Sequence, residues 1–133
     1  MKGHFLMSRL LVSLCIVSAL VLTACAGSHA RVAQSNGLTI GVAFAPDPPK
    51  QGPTSITVTV KDAQGKPVPD AAVQIEQTMP TMSMTGPTLT AKDDGDGTYS
   101  SLTNLNYATQ WHFGVSVKAL GTTGNATFVE DVK

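Results

Sequence analysis

Three of the chain's five methionines fall within six residues, in the stretch MPTMSMTG from Met79 to Gly86. Thioether sulfur is a soft donor that selects Cu(I), and imidazole widens the choice to Cu(II) and Zn(II). In extended backbone, Met82 and Met84 would project from one side with Cβ atoms about 7 Å apart, a span that two flexible side chains can close onto one ion. Met79 needs a bend at Pro80 to join them, and His112 can add a ligand if its strand lies beside this segment. The same methionines also make adaptable core filling, or a sticky patch for a protein partner. The residues alone leave both readings open.

Other chemistry is sparse. DDGDG, Asp93 to Gly97, gathers hard oxygen ligands, but an EF-hand loop needs a Glu about six residues beyond its Gly and a helix on each side, and neither is present. The stretch reads instead as a glycine-rich hairpin turn into a strand that begins at Thr98. Asn125-Ala126-Thr127 matches the glycosylation acceptor pattern only by chance. Catalysis needs a nucleophile with a base, or an acid and base pair, held in a cleft. His29 and His112 stand apart in the sequence and the carboxylates concentrate in turns, so the chain is expected not to be an enzyme.

Cys25 has a different role. Met1 to Arg9 carries Lys2 and Arg9 and no acid, Leu10 to Leu22 is mostly apolar, and LTAC follows at Leu22 to Cys25. This is the three-part build of a secretory signal, with an apolar run short of the ~20 residues of a spanning helix. LTAC resembles the lipobox of bacterial lipoproteins. The resemblance implies that residues 1–24 are removed, that Cys25 is lipidated, and that several acyl chains hold the protein on the extracytoplasmic side of a membrane. Ala26 after the cysteine implies the outer membrane in a host with two. The other cysteine, Cys15, lies inside the discarded run, so no disulfide is expected. Without Lys2 and Arg9, seven basic residues face nine acidic ones, a net charge of −2 without a basic patch, which excludes nucleic acid as a partner.

The elements that must position these residues look like strands. Residues 25–37 are small and polar and read as a flexible tether. From Leu38 onward, alternating segments are separated by turn signals every 8 to 12 residues or so, the spacing of a β-sandwich. Ile56, Val58 and Val60 share one face, as do Val73 and Ile75. Trp111, Phe113, Val115 and Val117 share another, which predicts a buried Trp111 and an outward-facing His112. The expected fold is all-β, an immunoglobulin-like antiparallel sandwich of about seven strands over residues 38–133.

The run KDAQGKPVPDAAVQIEQTMPTMSMTG, followed by GDGTYSS and a W-x-F-x-V-x-V strand, resembles the YtkA-like domain family, relatives of the periplasmic part of FixH. That resemblance implies an immunoglobulin-like fold and an extracytoplasmic accessory role. Through FixH-type relatives it also implies a connection to the maturation of copper-containing oxidases. The chain is therefore expected to be a lipid-anchored, non-catalytic binding module whose partners are the membrane, through Cys25, and a protein or copper. Its sharpest alternative is a Cu(I) protein using Met79, Met82, Met84 and His112.

Overall fold

Hydroxyl-bearing and aliphatic residues alternate along Ser55–Val60, and a pleated strand sends them to opposite faces. In the computed structural model, which describes residues 31–133, Ile56, Val58 and Val60 are buried while Thr57 and Thr59 keep some exposure. The same logic builds ten strands: β1 (Arg31–Ser35), β2 (Leu38–Ala45), β3 (Gly52–Lys61), β4 (Ala72–Met79), β5 (Met84–Thr85), β6 (Leu89–Thr90), β7 (Lys92–Gly95), β8 (Thr98–Leu105), β9 (Gln110–Ala119) and β10 (Thr122–Asp131).

Two five-stranded sheets result. One runs β1-β2-β3-β8-β7; the other runs β10-β9-β4-β5, with β6 also paired to β4, and the pairings are antiparallel. Their inner faces meet in one core. Phe44 of the first sheet packs against Phe113 of the second with ring centroids 4.9 Å apart, and Trp111 stacks on Phe113 at 6.2 Å. Aromatic contacts of this kind add about 0.5–1.5 kcal/mol beyond the area they bury.

The all-β sandwich agrees with expectation, but the strand number and its starting point do not. Ten strands replace about seven, because β5, β6 and β7 are short edge pieces and β1 lies in the segment read as a tether. Arg31–Ser35 pairs residue by residue with Leu38–Val42 through the two-residue turn Asn36–Gly37. An Asn-Gly pair is the strongest short hairpin signal, since both residues accept the positive φ that this turn demands. Here those angles are 50° and 78°. Residues 1–24, Cys25 and His29 lie outside the described residues.

The two ends of the sandwich differ. Asp96–Gly97 and Leu120–Gly121 make two further tight turns with positive φ at both residues, at the same end as Asn36–Gly37. At this hairpin end the Asp93 carboxylate accepts from the Gly95 and Asp70 backbone N–H groups, at 2.8 and 3.3 Å, so DDGDG does the work of a turn. The crossover from β3 to β4 is fastened by Tyr99, whose buried hydroxyl donates to the Val68 carbonyl (2.7 Å) and accepts from the Ala71 N–H (2.9 Å). Burial is the main reason its pKa is raised; the Ala71 hydrogen bond opposes the shift, and Asp93 and Asp70 add to it.

Candidate functional site

The methionine stretch lies at the opposite end. β4 alternates inward through Val73, Ile75, Gln77 and Met79, and all four are buried. After Met79 the chain leaves the ladder in a single 3-10 turn, Pro80–Met82, closed by the Ser83 N–H donating to the Pro80 carbonyl at 3.1 Å. Ser83 takes a left-handed conformation (φ 51°), which reverses the chain into β5. There Met84 comes back opposite Met79, and Thr85 opposite Thr78.

Gln77 holds both limbs of this excursion. Its backbone carbonyl accepts from the Gly86 N–H at 2.7 Å. Its side-chain amide donates to the Pro87 carbonyl at 2.8 Å and accepts from the Thr103 hydroxyl at 2.8 Å. A fully buried amide with both ends satisfied contributes to stability instead of costing it. Gly86 allows the close approach, since a Cβ there would meet the Gln77 Cβ at 3.3 Å. The tip is tied sideways as well. The Thr81 and Thr109 hydroxyls share a hydrogen bond of 2.7 Å, and the Thr109 carbonyl accepts from the Val132 N–H near the C-terminus.

The four methionine and histidine candidates fall into three environments. Met79 is in the core at 2% exposure, whereas Met82 and Met84 are exposed at 41% and 37%. The extended run that would put Met82 and Met84 on one side is not formed, because the 3-10 turn and the left-handed Ser83 separate them. The register instead associates Met84 with Met79. His112 is Thr78's partner across β4 and β9, so it shares the outer face with Thr78 and Thr85, while Met79 and Met84 belong to the inner one. Its Nε2 lies 3.3 Å from the Gln110 side-chain oxygen. His112 thus turns away from the buried methionine, as the alternation in its strand predicted.

Two features of this end were not singled out in the sequence. Gln77 could have been found, because period 2 from Val73 and Ile75 places it inward. Tyr107 could not: it sits in the loop between β8 and β9, 40% exposed, with its backbone carbonyl accepting from the Trp111 indole N–H at 2.9 Å. Together, Met82, Met84 and Tyr107 give this end an apolar surface. Among the described residues, no group of three or more His, Cys, Asp or Glu side chains comes together as metal ligands. The clearest hollows lie elsewhere and are polar, one beside the Asn36–Gly37 turn and one over Gly114 on the outer face of β4, β9 and β10.

A two-sheet β-sandwich with a methionine turn projecting from one end defines the class. The chain belongs to the YtkA-like family, whose match extends over residues 32–116. No curated protein matches the chain. Among solved structures, a DUF4426 family protein from Pseudomonas aeruginosa PAO1 is 17% identical with a TM-score of 0.56, over 76% of this chain and 94% of that one. The soluble domain of PmoD from a Methylocystis species is 18% identical with a TM-score of 0.52, over 77% of this chain and 96% of that one. An engineered protein is 18% identical with a TM-score of 0.51, over 69% of this chain and 20% of its own length. At these identities the likeness is one of fold.

Proposed function

We propose that the protein is an extracytoplasmic accessory module, held to a membrane by lipid on Cys25, that acts by binding through its methionine end and not by catalysis. The observation that carries this reading is the exposure of Met82 and Met84 on a turn that the buried Gln77 side chain, hydrogen-bonded to the half-buried Thr103, keeps in place. Flexible thioethers on a fixed support suit contact with a partner, because they adapt to its shape without moving the backbone. Membership of the YtkA-like family and a fold like that of a soluble domain agree with an accessory role. The side-chain inventory favours binding over chemistry. His112 pairs with Gln110, Asp47 and Glu130 are ion-paired with Arg31, Glu76 stands on the outer face of β4, and the other acids are spread over turns and strand ends.

A second reading is favoured by the register that sets Met84 opposite Met79: the same end takes Cu(I) as cargo. Met82 and Met84 are accessible soft donors and fit such a cargo, Met79 fits only if its side chain leaves the core, and His112 does not fit from the outer face.

The anchoring is tested by changing Cys25→Ser and following incorporated lipid label and membrane fractionation. Loss of label with release of a folded domain is the expected result. A labelled, membrane-bound variant would overturn the anchor.

A further inference from the structure

The first described residue enters the sandwich at the methionine end. Arg31 opens β1 opposite Val42, near the end of β2 that leads into Pro46–Gln51, and its guanidinium is ion-paired with Asp47 and Glu130. Glu130 in turn sits opposite Trp111, one residue from the pair His112 and Thr78. The guanidinium also lies 5.2 Å from the centre of the Phe44 ring. Arg31 is therefore fixed to the body of the fold, and the chain N-terminal to it leaves from the end where Met82, Met84 and Tyr107 are exposed.

We infer that this end faces the bilayer and rests on its headgroup layer, an inference that depends on the lipid anchor at Cys25 proposed above. Five residues lie between Cys25 and Arg31, which makes six residue steps. Fully extended, they span about 20 Å, and a strand of ten residues is about 33 Å long. The tether is thus shorter than the sandwich, so the methionine end stays within its reach of the bilayer while the upright domain holds the hairpin end beyond it.

The apolar surface of the two ends is unequal in the matching sense, with three large side chains exposed at the methionine end against Leu120 at the hairpin end. Met82, Met84 and Tyr107 offer an apolar and aromatic contact of the kind that settles at a membrane interface. Lys50 and Lys133 are exposed beside them, joined through the Gln51 N–H donating to the Lys133 carbonyl. Of the carboxylates at this end, Asp47 and Glu130 are engaged by Arg31, which leaves Asp131. At the hairpin end stand Asp62, Asp70, Asp93, Asp94 and Asp96, five of the chain's nine acidic residues, but Lys61, Lys66, Lys92 and Lys118 stand there as well, so the two ends differ little in net charge and the orientation rests on the apolar contact and the tether length.

Lipidation converts the Cys25 thiol to a thioether, so an introduced cysteine is the one free thiol of the processed chain. Ala108→Cys reports the methionine end and Ala63→Cys the hairpin end, both on exposed loop residues. Each full-length lipidated variant, labelled with a fluorophore, is reconstituted into vesicles of phosphatidylethanolamine and phosphatidylglycerol that contain a headgroup nitroxide lipid. The expected result is flotation of both variants with the vesicles and several-fold stronger quenching at position 108 than at 63. Flotation with equal quenching, or with stronger quenching at 63, overturns the orientation and leaves the anchor standing. Failure to float overturns the anchor and the orientation together.

Discussion

Met84 lies directly opposite Met79 across the pairing of β4 with β5, yet Met79 is sealed in the core and Met84 is open to solvent. Pairing brings the two backbones together without giving the side chains one environment, because β5 is a two-residue edge strand with nothing packed over it. Met79→Ala should therefore cost about 2–5 kcal/mol, as truncating a core methionine does, and Met84→Ala should stay within about 0.5 kcal/mol of the parent. Urea unfolding of both variants checks this. Equal losses would mean that Met84 is packed against the core.

Trp111 and His112, neighbours in β9, should separate in the same way. The indole stacks on Phe113 and donates to the Tyr107 carbonyl, so Trp111→Ala removes a large buried ring and should cost about 3–5 kcal/mol. His112→Ala removes a half-buried outer-face ring with one side-chain hydrogen bond, to Gln110, and should change the melting temperature little. Similar unfolding midpoints for the two variants would contradict the observed face of the strand.

The parts of the fold that could be read in advance are those where hydrophobicity alternates. Ser55–Val60 and Trp111–Val117 each carry a continuous inner row, and both rows are in the core. β1 was hidden because the side of it that packs consists of Arg31, Ala33 and Ser35, whose burial depends on ion pairs and small size, while Val32 is 64% exposed. The Asn36–Gly37 turn was the signal that could have exposed it. At the methionine end, the sequence displayed the soft donors but not their separation. A left-handed Ser83 and a two-residue return strand are set by the hydrogen bonds of Gln77, which join residues distant in sequence and leave no local pattern.

Tyr99 predicts an alkaline limit to stability. Its pKa is raised in the folded state, chiefly by burial, so the unfolded chain gives up its phenolic proton first and binds fewer protons as the pH rises. The stability linked to this group is complete below about pH 10, the unfolded value, and is lost as the pH climbs toward the higher folded value. Tyr99→Phe should abolish that dependence. It should also cost about 1–3 kcal/mol at neutral pH, because the Val68 carbonyl and Ala71 N–H lose their partner. Denaturation curves from pH 7 to 11 for both proteins provide the check, and parallel alkaline losses would assign the effect to another group.

Arg31 and Glu130 tie the first strand to the last. Glu130 is 9% exposed, so Arg31→Met leaves a largely buried carboxylate without its guanidinium. The cost should be on the order of 2–3 kcal/mol, below the full value of a buried pair because the Arg31 side chain keeps a quarter of its surface. Adding Glu130→Gln to Arg31→Met should recover part of the loss by removing the unpaired charge. A double variant no more stable than Arg31→Met would show that the arginine acts through Asp47 or through its packing on Phe44, not through Glu130.

The cargo reading of the methionine end makes a commitment that the contact reading does not. If Met82 and Met84 take Cu(I), the chain should withdraw about one equivalent from a chromophoric chelator, and Met82→Leu with Met84→Leu should abolish uptake. Leucine is the informative substitution, because exchanging Met for Leu nearly conserves volume and usually costs less than about 1.5 kcal/mol, so lost uptake cannot be blamed on lost folding. Two single changes locate the site further. His112→Ala should leave uptake unchanged, since its ring is on the other face of the sheet from the methionine pair. Met79→Leu separates a site confined to the exposed thioethers, which would keep its uptake, from one that draws Met79 out of the core, which would lose it. Unchanged chelator colour with the parent protein would remove copper from the account and leave Met82 and Met84 as a contact surface.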